Sequence, residues 1–233
     1  MSLPPADGVI GARGGASVGS MRLTKLGHAC VRISDGDTTL VLDPGVFTDP
    51  GAAAGADAVL ITHVHADHYS IEQLRATDAP IYTIGAVAAA IGEEAPDVHE
   101  RVHVVQPGQR FEAAGIAVTA VGELHAVIHP DLPRFHNSGY VLDVGGTRVY
   151  HPGDALTGPG EPVDVLLAPV CAPWMKVSEG IDFARSVGAP RNVAIHDRIY
   201  SEAGLGVADA HFTRLLGESG LEYVRLADGA DLG

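Results

Sequence analysis

Four side chains that can bind metal ions lie within six positions, directly after an apolar run. The run Ala58–Ile61 is typical of a buried strand, and the sequence then continues THVHADH. In an extended segment His63 and His65 point the same way and can hold one ion, whereas the turn that follows directs Asp67 and His68 elsewhere. The cluster therefore predicts two neighbouring metal ions.

The cluster lies between a strand and a predicted helix. Ser70 and Gln73 have the spacing of a capping box, which predicts a helix that begins after Ser70. Loops at strand ends are where rigid scaffolds present reactive groups, so a chance accumulation of histidines in a surface loop is the less favoured interpretation. The cluster lacks the Cys ligands of closed structural zinc sites. His and Asp ligands favour an open catalytic site for zinc first, with manganese or iron as alternatives.

The rest of the chain shows short strand patterns alternating with helical ones. Glycine pairs at 145–146 predict a hairpin turn, and hairpins mixed with helices favour a layered α/β sandwich over a purely parallel sheet. The predicted strands are 22–33, 38–42, 58–62, 102–105, 116–121, 139–144, 148–150, 163–168 and 192–195. The predicted helices are 71–76, 86–91, 178–186 and 208–219. The length of 233 residues suits one domain, preceded by a disordered tail over residues 1–20 that does not resemble a secretory signal.

The charge balance restricts the partners. Lys and Arg number 15 against 29 Asp and Glu, and the resulting net charge of -14 would repel a phosphate backbone. Apolar runs are strand-sized, which disfavours a membrane span. Cys30 and Cys171 are too few for a disulfide framework. We therefore expect a cytoplasmic protein with a small-molecule substrate and no nucleic-acid or membrane partner; a homo-oligomer remains open.

The spacing His-x-His-x-Asp-His after an apolar strand resembles the signature of the metallo-β-lactamase superfamily. The other segments that fall in the order of that family are Gly27-His28-Ala29, Asp43-Pro44-Gly45, His125, His151-Pro152-Gly153-Asp154 and His196. The resemblance extends over most of residues 21–200 and is closest to the branch of L-ascorbate-6-phosphate lactonase-like hydrolases. It implies a four-layer αββα sandwich that forms a single domain over residues 21–233.

The resemblance also implies a ligand set. The first metal is assigned to His63, His65 and His125, the second metal to Asp67, His68 and His196, and the bridging position to Asp154. The residue types agree, because His125, Asp154 and His196 each follow an apolar strand pattern. For the mid-chain ligand, His129 and His136 compete with His125.

Other residues receive weaker assignments, each with a structural alternative. Asp43 is expected to accept a hydrogen bond from a ligating histidine, or only to cap a turn. His28 either approaches the site or fills the first strand. Trp174 is expected to line the substrate pocket or to pack in a core, and His129 and His136 are further substrate-binding candidates.

The predicted function is hydrolysis of a small ester, lactone or phosphoester by a hydroxide that bridges two divalent ions. The catalytic assignments are Asp67, His68 and Asp154. Two ions, two carboxylates and a hydroxide leave a net charge of about +1, which attracts a polar or anionic substrate and stabilises the developing oxyanion. His28, His129 and His136 are candidates to protonate the leaving group.

The sequence leaves two other functions open. A sulfur dioxygenase-type oxidoreductase needs only one iron and a subset of the same ligands, and a non-catalytic member of the fold would keep the ligands without turnover. β-Lactam hydrolysis is disfavoured because true zinc β-lactamases usually place Cys among the ligands of the second metal. Flavodiiron enzymes carry Glu where this chain has His65, which disfavours reduction of oxygen or nitric oxide.

Overall fold

Two β-sheets form the centre of the computed structural model, which describes residues 21–233; the tail predicted over residues 1–20 lies outside the described residues. The first sheet has six strands in chain order, and its first three strands are antiparallel while the last four are parallel. These strands are β1 (Arg22–Lys25), β2 (Val31–Asp35), β3 (Thr38–Leu42), β4 (Ala58–Ile61), β5 (Ile81–Thr83) and β6 (Val102–Val104).

The second sheet has seven strands in the order β13-β12-β11-β10-β9-β8-β7. The strands from β7 to β10 are antiparallel, and those from β10 to β13 are parallel. Their bounds are β7 (Arg110–Ala113), β8 (Ile116–Val121), β9 (Gly139–Val144), β10 (Thr147–His151), β11 (Val165–Pro169), β12 (Arg191–Ile195) and β13 (Glu222–Val224).

Helices cover the outer face of each sheet. One helical layer contains α1 (Ile71–Arg75), α2 (Gly85–Glu94) and α3 (Pro96–His99), and the other contains α4 (Val177–Val187) and α5 (Glu202–Gly217). One apolar core lies between the sheets, and a further core lies under each helical layer. The four-layer αββα sandwich and the single domain are confirmed. None of the helices within residues 21–233 has the length and apolar character needed to cross a bilayer.

Most strands point their carboxyl ends toward the same edge of the sandwich, and six of them lead into the loops described below. In the first sheet β1, β3 and β4 run in one direction, because β2 is antiparallel to both of its neighbours. In the second sheet β8, β10 and β12 share a direction for the same reason. The loops after these six strands carry the chemically important residues, so the topology gathers them at one edge.

The structure also corrects the interpretation of the helix start. Helix α1 begins after Ser70, but the Ser70 side chain makes no capping hydrogen bond. The Gln73 side chain instead donates from Nε2 to the carbonyl oxygen of Asp49 at 2.8 Å. The predicted capping box is therefore wrong. The Gly145-Gly146 hairpin turn is confirmed, since β9 and β10 pair directly on both sides of it and both glycines have positive φ.

Gly45 lets the loop after β3 pack against the THVHADH segment, and this contact leads to a stability prediction. A Cβ atom on Gly45 would lie 2.0 Å from the carbonyl oxygen of Asp67 and 2.6 Å from the amide nitrogen of His68. We expect Gly45→Ala to lower the free energy of unfolding by about 3 kcal/mol, as overpacking does. Urea unfolding of the wild type and the variant measures this change.

The matched control is Gly206→Ala on helix α5. A Cβ atom at Gly206 meets nothing within 4 Å. Alanine is preferred to glycine inside a helix, so this variant should gain about 0.5–1 kcal/mol. Equal unfolding midpoints for the two variants would contradict the steric argument at Gly45.

Candidate metal centre

Two groups of potential ligand atoms lie side by side at the shared edge of the sandwich. In each group the ligand atoms lie within 4.8 Å of one another. The first group contains His63, His65, His125 and Asp154, and the second contains His28, Asp67, His68 and His196. The structure brings all seven sequence-predicted ligands together, with His63 and His65 in the first group and Asp67 and His68 in the second.

Asp154 lies between the two groups. Its Oδ1 atom is 3.0 Å from Nε2 of His68, and its Oδ2 atom is 3.1 Å from Nε2 of His196. On the other side, Oδ2 is 3.3 Å from Nε2 of His125 and 3.8 Å from Nε2 of His63. A carboxylate in contact with histidines of both groups has the position that a bridging ligand requires.

Asp43 and Thr62 orient His63 and His68, and their hydrogen bonds determine which ring nitrogen of each histidine faces the site. His68 donates from Nδ1 to Oδ2 of Asp43 at 2.7 Å, which leaves Nε2 to face Asp154. The Thr62 hydroxyl donates to the same Oδ2 atom at 2.7 Å and therefore accepts from Nδ1 of His63 at 2.9 Å. Asp43 thus orients His68 directly and His63 through Thr62, whereas the sequence indicated only a hydrogen bond from one ligating histidine.

Backbone carbonyl groups orient two further histidines. His125 donates from Nδ1 to the carbonyl oxygen of Ala126 at 2.7 Å, and His196 donates from Nδ1 to that of Cys171 at 2.5 Å. Both histidines therefore present Nε2. His65 differs, because its Nδ1 atom lies 3.1 Å from Nε2 of His63.

Several of these atoms are buried without a hydrogen-bond partner in the described part of the chain. They are Nε2 of His68, Nε2 of His125, Nε2 of His196 and Oδ1 of Asp154. A buried polar atom without a partner costs about 1–3 kcal/mol. The three nitrogens lie 3.0–3.3 Å from the Asp154 carboxylate, and a set made of imidazole nitrogen and carboxylate oxygen fits divalent metal ions such as zinc, manganese or iron.

His28 joins the second group by distance, but its hydrogen bonds assign it another role. Its Nδ1 atom accepts from the backbone amide of Arg198 at 3.3 Å. The neutral ring consequently carries its proton on Nε2, which lies 3.1 Å from Oδ2 of Asp67. His28 therefore donates to Asp67 and orients this carboxylate, in line with the alternative that it approaches the site.

The histidines differ in charge when no metal is bound. Burial lowers the pKa of His63 well below its ordinary value and that of His28 to about 4, so both are neutral near pH 7. Burial acts in the same direction on His68, but the carboxylates of Asp154 and Asp43 outweigh it and raise the pKa of His68 to about 10. The pKa of His196 is raised well above its ordinary value, since Asp154 again outweighs burial.

Metal uptake should consequently release protons. The raised pKa values of His68 and His196 favour their protonated forms near neutral pH in the metal-free protein, whereas only neutral imidazole binds a metal ion. We expect at least about two protons to be released per chain when zinc is added at pH 7. Calorimetric titration in buffers of different ionisation enthalpy measures this number, and a value of zero would contradict the assignment.

The same pKa shift sets a pH dependence. Because the folded-state pKa of His68 is raised to about 10, protonation of His68 stabilises the metal-free fold below its unfolded value near 6.5. This contribution is lost as the pH rises from about 6.5 through about 10. Protons compete with metal over the same range, so metal affinity should increase with pH.

The predicted substrate-binding residues lie in different places. Trp174 lies at the site, and its indole Nε1 donates to Oδ2 of Asp154 at 3.0 Å. His136 lines a cavity of about 210 Å³ together with Glu123 and Asn137. His129 is exposed, and its Nδ1 atom accepts from the amide of Asp131 within its own loop.

Two supporting residues were missed in the sequence. Asn137 fixes the turn before Asp154, because its side chain donates to the carbonyl oxygen of Pro152 and accepts from the amide of Asp154. His151 is buried, donates from Nε2 to the carbonyl oxygen of Ala29 and accepts from the amide of Gly153. His151 stands beside Pro-Gly-Asp in the sequence, which was a usable signal, whereas Asn137 had none.

Backbone strain is concentrated at the same edge. His28, Asp43 and His196 have φ values of 50°, 48° and 59°, in the left-handed region that non-glycine residues rarely occupy. Such a conformation costs of the order of 1 kcal/mol and persists where surrounding contacts determine it. Here the bond from the amide of His196 to the carbonyl oxygen of His28, at 3.0 Å, joins two of these residues across the sheets.

Comparison with known proteins agrees with this architecture. A family model described as beta-lactamase superfamily domain matches residues 22–196. Protein Rv0786c of Mycobacterium tuberculosis is 39% identical over 203 residues, which cover 84% of this chain and 92% of that protein. A UPF0173 metal-dependent hydrolase of Methanoculleus marisnigri is 33% identical over 192 residues, which cover 76% and 80%.

A solved structure shows the same fold at low sequence identity. The metallo hydrolase Igni18 of Ignicoccus hospitalis superposes with a TM-score of 0.72 at 17% identity, covering 91% of this chain and 97% of that one. A family match over well over half of the chain, on an αββα sandwich with ligand-bearing loops at one edge, shows that this chain belongs to the metallo-β-lactamase superfamily.

Proposed function

We propose that the protein is a metal-dependent hydrolase in which two divalent ions act together on one small ester, lactone or phosphoester. The observation that carries the proposal is the contact of Asp154 with histidines of both ligand groups, through buried atoms whose contacts lack good hydrogen-bond geometry. The proposed ligands are His63, His65, His125, Asp67, His68, His196 and Asp154. Zinc is the first metal to test, followed by manganese and iron.

Two such ions would supply hydroxide from water near neutral pH and an electrophile for the oxygen of the scissile bond. The chain's own residues hold this arrangement in place. His28 donates to Asp67, and Asp43 accepts from His68, so the two adjacent ligands of the second group are each fixed by a hydrogen bond. These hydrogen bonds matter because a small displacement of the reacting groups lowers the reaction rate strongly.

The names and sequences of relatives support hydrolysis. The Methanoculleus marisnigri relative, named a metal-dependent hydrolase, is 33% identical over 192 residues. The presence of two ligand groups, where a mononuclear oxidoreductase would need one, favours the hydrolase over the sulfur dioxygenase alternative. A phosphorylated sugar lactone is the substrate that the lactonase-like resemblance adds to the panel.

The leaving-group proton has fewer sources than the sequence suggested. His28 is disfavoured, because burial lowers its pKa to about 4 and both of its nitrogens are hydrogen-bonded. His129 is exposed and bonded within its own loop. His136 and solvent remain as proton donors in this proposal.

The decisive experiment combines metal analysis with a substrate panel. Protein freed of metal by a chelator and reloaded with zinc, manganese or iron should bind two ions per chain. It should then hydrolyse at least one member of a set of aryl esters, lactones and phosphodiesters without consuming oxygen. Full activity in the metal-free protein, or oxygen uptake with persulfides in the iron-loaded protein, would contradict the proposal.

A further inference from the structure

The ligand set is open to solvent at two residues. His65 and Asp67 are partly exposed, whereas the other predicted ligands are buried. Only Ala66, which is exposed, separates the two residues in the sequence, and we call the surface at His65 and Asp67 the opening. The surface around this opening therefore contacts whatever part of the substrate does not react.

Exposed apolar side chains are concentrated on the loops at the edge of the sandwich that holds the ligand groups. Within residues 21–233, eleven large apolar side chains are exposed, and nine of them lie on loops that carry or adjoin ligand residues. We call these nine the apolar rim: Val46, Phe47, Leu124, Val127, Ile128, Leu132, Phe135, Ile199 and Tyr200. Only Val104 and Val207 lie elsewhere.

Direct contacts join the apolar rim to the site. The Phe135 ring lies 4.7 Å from that of His65, between centroids, and the Phe47 ring lies 5.4 Å from that of His28. The amide of Val46 donates to the carbonyl oxygen of Ala66 at 2.8 Å. The rim thus borders the opening on the His65 side and on the Asp67 side.

Exposed apolar patches of this kind mark either an interface or a ligand-binding groove. A second protein chain that covered the rim would also cover His65 and Asp67, and would close the opening that catalysis requires. The apolar part of a substrate can occupy the rim without this conflict, since it enters together with the reacting bond.

We propose that the substrate carries an aliphatic or aromatic group next to the bond that is hydrolysed, and that this group lies on the apolar rim. The inference rests on the proposed function and adds the chemical class of the substrate: a carboxylic or phosphoric ester with a hydrophobic substituent. The metal ligands hold the polar reacting group, and the rim removes the apolar substituent from water.

A binding experiment tests this without turnover. Straight-chain alkylphosphonates from methyl to octyl share one anionic head group and differ only in the apolar tail. Trp174 is the single tryptophan of the chain and lies 5.6 Å from His125 between ring centroids, so its fluorescence reports binding to the zinc-loaded protein. We expect the dissociation constant to fall by up to about four-fold per methylene, the factor for complete burial.

Variants of the apolar rim distinguish the contribution of the alkyl tail to affinity from that of the phosphonate head group. Val46→Ser/Phe47→Ser and Val127→Ser/Leu132→Ser alter the two sides of the rim without replacing a ligand. At least one of them should flatten the dependence on chain length and leave the affinity for methylphosphonate and the bound zinc unchanged. Val207→Ser, at an exposed apolar residue on α5, is the matched control and should behave as the wild type.

The outcomes distinguish this inference from the proposed function. Methylphosphonate binding with no gain from longer tails would overturn the inference and leave the hydrolase proposal standing. No binding by any phosphonate, together with an inactive substrate panel, would overturn both. Light scattering adds a third outcome: a change of oligomeric state in the rim variants, with the chain-length dependence intact, would assign the rim to a second copy of the chain instead.

Discussion

Replacement of Asp154 by asparagine is expected to reduce hydrolysis about 10³-fold or more and to lower the bound metal below two ions per chain. Asp154 contacts histidines of both groups at 3.0–3.3 Å, so under the proposed function its negative charge would act on both ions. Asparagine keeps the shape and removes the charge. A 10³-fold loss corresponds to about 4 kcal/mol, which is within the several kcal/mol that metal-held charge contributes to a transition state.

Metal content and the rate on the best substrate of the panel are the two measurements. Asp182→Asn is the matched control, because Asp182 is exposed on α4 and the substitution makes the same change in charge. The control should bind two ions and retain full activity. Two ions and an unimpaired rate in Asp154→Asn would show that Asp154 does not bridge.

The sequence predicted strands with a clear apolar pattern better than other elements. The strand predicted over 22–33 is two strands, β1 and β2, and helix α5, predicted over 208–219, begins at Glu202. β8 alternates buried and less buried residues and was predicted with its observed bounds of Ile116–Val121. β5, β7 and β13 were missed; they have three or four residues each, too few for a periodicity to be recognised. Such short strands form because neighbouring strands supply hydrogen bonds, and β5, for example, is paired on both sides.

At the site, the residue types of the ligands are local features of the sequence, whereas the contacts that orient them come from distant residues. The residue types of the seven predicted ligands could be recognised where apolar strand patterns end, and the common direction of β4, β8, β10 and β12 brings them together. The hydrogen bonds that orient them could not be predicted. The proton of His28 is positioned by the amide of Arg198, which is 170 positions away in the sequence. Trp174 reaches Asp154 from the loop after β11.

Replacement of Asp43 by asparagine is expected to weaken binding of both metal ions, by about 10- to 100-fold each. Asp43 accepts three hydrogen bonds: Oδ1 from the amide of Thr62, and Oδ2 from the Thr62 hydroxyl and from His68. An asparagine has one oxygen, so at least one of these buried donors would face an NH2 group. The loss of stability should be about 1–3 kcal/mol for each unsatisfied donor.

The backbone conformation at Asp43 accepts asparagine, so the substitution tests the change of side chain alone. Asp43 has a φ of 48°, and asparagine tolerates the left-handed region as well as aspartate does, so no backbone strain is added. Zinc affinity can be measured by competition with a chromogenic chelator, and stability by urea unfolding of the metal-free protein. Wild-type zinc affinity in Asp43→Asn would contradict the orienting role of Asp43.

Thr62→Val distinguishes the effect of Asp43 on His63 from its effect on His68. The hydroxyl of Thr62 connects Asp43 to His63, whereas the bond from His68 to Asp43 does not involve it. Thr62→Val should therefore weaken binding of the first ion and spare the second, while Thr62→Ser, which keeps a hydroxyl, should bind both ions as the wild type does. Because Asp43→Asn should weaken both ions, the comparison tests whether one buried carboxylate holds the two halves of the HxHxDH segment in register.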